Sequence, residues 1–140
     1  MSFREKLAWG SLAAHIIVFG PYFFTLARNW NSAAAGGGHG LAQVAVAVVA
    51  LVVLSIAVAV AAAASAPKEA AAPLDERERL VQLRAANLTA AIVTAGALGV
   101  IAGLMLGLTG ALAANALLGV LVLGEITKAA SHIVQLRVAA

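Results

Sequence analysis

Residues 41–64 read LAQVAVAVVALVVLSIAVAVAAAA, a run without one charged side chain. As a helix rising about 1.5 Å per residue, it is roughly 36 Å long, enough to cross a hydrocarbon core of about 30 Å. Valine, alanine and leucine fill every face, so no polar stripe is left to turn toward water. A helix apolar all round is buried in a large protein or in lipid.

The rest of the chain offers no large protein to bury it in. Of 140 residues, 63% are hydrophobic and 11% charged, and the mean hydropathy is +1.00. Soluble domains carry about 25% charged residues. A water-soluble fold of this size has too little interior for so much apolar surface. Lipid is therefore the expected solvent. The runs 7–27, 88–108 and 111–130 add three more spans. The predicted fold is all-α: a single four-span transmembrane bundle, antiparallel and up-down, covering residues 1–140. Residues 28–40 form an outer loop, and 65–87 form a cytoplasmic linker and helix start. Leu7–Ala27 is longer than a signal-peptide core of roughly 7–15 residues, so it is read as a retained span despite the small residues after it.

The basic residues set the direction. Arg4 and Lys6 precede the first run. Lys68, Arg77, Arg79 and Arg84 lie between the second and third, and Lys128 and Arg137 follow the apolar part of the fourth. Only Arg28 falls on the other side. The positive-inside rule makes the crowded side cytoplasmic, with both termini there, in the cell or inner membrane. A net charge of +3 on so few charged groups is a topology signal and not a nucleic-acid footprint.

Local signals refine the spans. Gly20-Pro21 interrupts the first run, and Pro21 predicts a kink. Asp75 with Glu78 three residues later predicts a capping box, opening one long third helix from about Asp75 to Leu108 whose first turns stand outside the membrane. Thr109-Gly110 predicts a tight hairpin between the last two spans.

Two groups of residues stand out. Gly96, Gly99, Gly103 and Gly107 recur at helical spacing in the third span. Small residues let backbones approach closely in lipid, and packing within the chain is favoured over a subunit contact. The second group is polar. Glu125, Lys128, His132 and Gln135 share one face of the fourth helix, and His15 lies inside the first span with Ser11 one turn before it. Asn87 and Thr94 are polar residues of the third helix at comparable depth. The functional reading of His15, Glu125, Lys128, His132, Asn87 and Thr94 is a cluster that handles protons or ions. The favoured reading is structural: Lys128 anchors at headgroups, Lys128 or Arg84 neutralises Glu125, and His15 makes a buried hydrogen bond that fixes register.

Catalytic and cofactor signatures do not emerge. The chain has no cysteine, which removes thiol chemistry and thiolate metal sites. No two histidines have the spacing of a helical ligand pair, nothing selects a haem between His15 and His132, and no phosphate-binding loop or nucleophile elbow occurs. No cofactor or metal is expected, and the lipid bilayer is the expected environment.

The stretch Asp75-Glu76-Arg77-Glu78-Arg79-Leu80-Val81 before the third span, with Glu125, Lys128 and Gln135-Leu136-Arg137 in the last helix, resembles a family of small four-span bacterial and archaeal membrane proteins of unknown function. The resemblance implies a four-span fold and no activity. The aromatic ending of that family is replaced here by Val138-Ala139-Ala140. The expectation that results is a non-enzymatic membrane protein, either a homo-oligomer or an accessory subunit among other membrane subunits. The alternative is a channel or transporter subunit, with polar residues of spans one, three and four along the path.

Overall fold

The computed structural model describes residues 3–31, 40–73 and 75–138. The described residues are helical almost throughout. Helix α1 is Phe3–Arg28, α2 is Gly40–Ser65, α3 is the short Pro67–Ala71, α4 is Glu76–Met105 and α5 is Gly110–Val138. All but α3 are long and apolar enough to cross a membrane, as a multi-pass membrane protein requires. Most of the outer loop, including His39, lies outside the described residues.

The termini of α4 follow the chemistry of capping. The Asp75 carboxylate accepts from the Glu76 N–H at 2.7 Å, and the Asp75 N–H donates to Glu78 Oε2 at 3.2 Å. This is a reciprocal box that satisfies donors the helix itself leaves open. The other end stops at Met105, three residues earlier than Leu108. Gly107 N–H donates to Leu104 O at 3.1 Å and Leu108 N–H to Gly103 O at 2.8 Å, with Gly107 at φ +97°. That is a Schellman stop, whose left-handed residue favours glycine. Gly107 therefore ends the helix and does not belong to its packing face. In the linker, α3 begins with Pro67, which suits a first helical position where no N–H is needed. Helix α1 continues through Pro21.

The spans pack as neighbours in the order α2, α1, α5, α4. Antiparallel contacts define each pair. Val58 of α2 lies over Gly10 of α1, and Val120 of α5 lies over Gly96 of α4. The Tyr22 hydroxyl of α1 donates to the Asn115 side chain of α5. The buried core is Phe19, Ala47 and Val122, with Val18, Tyr22, Phe23, Leu51, Leu118 and Ile126 around it. It belongs to α1, α2 and α5. Helix α4 joins from the far side of α5, and α2 and α4 do not form a packed pair. Little of the span surface is enclosed, and none of the apolar window of α4 is buried.

The glycines of α4 divide accordingly. Gly96 faces α5, where Val120 fills the space a Cβ would need. Gly99 is three residues on, about 60° round the helix, and opens outward with nothing within 4 Å of its Cβ position. Gly103 meets only Leu108, 3.2 Å away, the residue folded back by the helix stop. Of the four glycines singled out, one makes the contact between spans. Three others that do were not: Gly10 against α2, Gly119 of α5, whose Cβ position is 3.5 Å from Phe23 of α1, and Gly124, whose Cβ position is 2.9 Å from Val93 and 3.3 Å from Thr89.

Candidate polar site at the basic end of the bundle

One end of the bundle gathers the start of α1, the helix α3, the start of α4 and the last turns of α5. Eight of the nine basic side chains belong to these segments, and Arg28 sits at the opposite end of α1. The carboxylates there tie the segments together. Arg4 Nη1 lies 2.7 Å from Glu78 Oε2, with only 14% of the arginine side chain exposed. The same oxygen caps α4, so one carboxylate both starts that helix and fastens α1 to it. Arg137 reaches Glu5 at 3.2 Å and lies over the Trp9 ring at 5.5 Å. Lys6 donates to Ser65 at 3.1 Å, and the Phe3 N–H donates to Glu69 at 2.6 Å.

Between α1, α4 and α5 this end forms a half-open cavity of about 430 Å³. Its polar lining is Arg4, Ser11, Gln82, Glu125, Lys128 and His132; its apolar lining is Leu7, Ala8, Ala85, Ala86 and Ala129. Alanines make the room. Ala8, Ala85 and Ala129 are themselves buried, so three helices meet on short side chains and the longer polar ones reach over them. Glu125 and Lys128 pair at 3.4 Å, both roughly half exposed. His132 Nε2 is buried with no hydrogen-bond partner. Arg4 Nη1 is buried too, and it meets Glu78 as an ion pair without an aligned hydrogen bond.

Of the predicted polar group, Glu125, Lys128 and His132 thus meet at one site. His15 is buried, but its Nδ1 is 2.8 Å from the Ser11 carbonyl of its own helix, and its ring stacks on Phe19 at 6.4 Å. The outward side of α4, not the interior, holds Asn87 and Thr94, which are exposed. The polar link from α4 to α5 is instead Thr89, whose hydroxyl is shared between Ala85 O at 3.0 Å and Gly124 O at 3.2 Å. Thr89 lies seven residues before Gly96, on the same face. That spacing is the signal that marks it, because a hydroxyl in register with a glycine packed against Val120 faces the neighbouring helix. Gln135 donates to Ser131 at 2.8 Å. Arg4 and Gln82 enter the site from segments that read as span flanks.

The polar residues of the seam between α1 and α5 are interrupted. His15 lies toward the basic end and the Tyr22–Asn115 hydrogen bond toward the other, with buried Phe19 and Val122 between. Among the described residues no group of three His, Cys, Asp or Glu side chains is placed to hold a metal ion. Compared with protein-family models, with curated proteins and with solved structures, the chain has no significant match.

Proposed function

We propose that the chain is a non-enzymatic membrane subunit that assembles with copies of itself or with another membrane protein through the outward side of α4. The observation that carries this reading is the character of that side. Asn87, Ala91, Thr94, Ala95, Gly99 and Ala102 are all exposed there, around an exposed Leu98. Lipid tails do not call for a glycine or for polar side chains. A second helix does, because small residues admit its backbone and Asn or Thr finds a hydrogen bond across the contact. The reading as a conduction path has less support, since Phe19 and Val122 close the seam within one copy.

The proposed setting is the cell membrane with the basic end in the cytoplasm, following the distribution of Lys and Arg. The test is the mass of the complex purified in mild detergent, for wild type and Gly99→Leu. Leucine is a better helix former than glycine and fills space that is open within the single chain. Gly99→Leu is therefore expected to melt like wild type yet lose the added copies or the co-purifying subunit. A wild type of single-chain mass, or a variant that retains its full complex, overturns the proposal.

A further inference from the structure

We infer that the cavity between α1, α4 and α5 binds the phosphate headgroup of an anionic membrane lipid. Three features of the site meet in this one ligand. First, the lining is divided. Arg4, Gln82, Lys128 and His132 supply donors, while Leu7, Ala8, Ala85, Ala86 and Ala129 supply an apolar wall. An amphiphile has the same division. Second, the site holds a polar atom that the protein leaves unsatisfied. His132 Nε2 is buried without a hydrogen-bond partner, beside Arg4, whose charge is met by Glu78 at 2.7 Å. Such groups are expensive to leave unmet. A phosphate presents several acceptor oxygens, and charge-assisted bonds to arginine and lysine are the stronger kind. Third, the depth is right. The cavity lies where the apolar runs beginning at Leu7 and Leu88 and ending at Leu123 give way to charged sequence, which is the headgroup level. Basic pockets between spans at that level are suited to lipid phosphates.

The charge count favours a net negative headgroup. Within the site Arg4 and Lys128 are matched by Glu78 and Glu125, and the positive excess belongs to this end of the molecule as a whole, where eight basic side chains face six acidic ones. Glu125 holds Lys128 at 3.4 Å and so aims its ammonium without occupying all three of its donors. The inference is independent of the outward side of α4, because the cavity is formed within one chain.

The experiment titrates the purified chain in detergent with dioctanoyl phosphatidylglycerol and reads the rise in unfolding temperature. Dioctanoyl phosphatidylcholine and sodium phosphate are titrated in parallel. Phosphatidylglycerol is expected to stabilise at the lowest concentration. Lys128→Gln is expected to raise its half-effect concentration about tenfold, because it removes one charge-assisted bond to the phosphate. Lys68→Gln removes the same charge from exposed α3 at the same end of the molecule and should change it by less than about twofold. Lys128→Arg, which keeps the charge, should restore most of the binding, and Glu125→Gln should not weaken it. Because the midpoint of each titration is read relative to that variant's own lipid-free unfolding temperature, a loss of starting stability does not imitate a loss of binding. Equal effects of the two lipids, equal losses in Lys68→Gln and Lys128→Gln, or a tenfold weakening in Glu125→Gln would each overturn the proposal. Stabilisation by sodium phosphate at the same concentrations would overturn the lipid as source and leave a soluble anion in its place.

Discussion

Tyr22 and Asn115 show what a single polar contact does in this environment. The phenol donates to the Asn115 carbonyl oxygen, while the Asn115 amide donates to Ala111 O at 2.8 Å. The side chain is thus held from both ends at the α1–α5 seam. In lipid such a bond has little competition from water, yet the unfolded state in a membrane also finds partners, so the net value is about 0.6 kcal/mol. Tyr22→Phe and Asn115→Leu are each expected to lower stability in detergent by about that amount. The double variant should cost little more than either alone, as a double-mutant cycle of unfolding free energies will report. Full additivity would mean that the two side chains do not act as a pair. His15 belongs to the same scale. Its Nδ1 meets a carbonyl of its own helix and its ring stacks on Phe19 of the same helix, contacts that hold the side chain in place within α1.

Among the elements, α4 carries the most information per residue. Its inward stripe of Val81, Ala85, Thr89, Val93 and Gly96 follows the helical period and meets α5. Gly96→Leu drives a side chain into Val120, and overpacking of this kind costs about 1–3 kcal/mol. The same substitution at Gly99 meets open space. The expected result is a clear fall in unfolding temperature for the first and none for the second, measured in detergent. Equal melting of the two would show that the face has been assigned incorrectly. The end of the helix is set by Gly107 at positive φ, where a Cβ is strained whatever the room around it. Its place in a four-residue glycine repeat made it look like a packing residue. A repeat at i, i+4 does not distinguish the last turn of a helix from its middle, and only the turn after it does.

Across the whole molecule, the charge asymmetry governs insertion. With eight of nine basic residues at one end, single cysteines introduced into the cysteine-free chain are expected to react with an impermeant reagent in intact cells at residue 109 and not at residue 69. Labelling at residue 69 alone would reverse the orientation. The bundle itself is open, since α2 and α4 lie on opposite flanks of the α1–α5 pair. Such an arrangement leaves long apolar faces to lipid or to other helices. It also sets the cavity at the basic end, where α1, α4 and α5 meet.

The number of spans, their lengths and the grouping of charge were determined by the sequence alone. Each depends on the transfer of one segment between water and lipid, which length and side-chain type fix without reference to any neighbour. The Asp75–Glu78 cap was legible for the same reason, being local. Which spans are neighbours, and which glycine lies at a contact, was decided only by the tertiary structure. In water the hydrophobic period marks the buried face of a helix. In lipid both the inward and the outward face are apolar, so the period no longer separates them. Gly96 and Gly99 are alike in composition and differ only in what stands beside them. Arg4 and Gln82 entered the candidate site for a similar reason. They lie far from Lys128 and His132 in the chain, and only the meeting of α1, α4 and α5 brings the four side chains to one cavity.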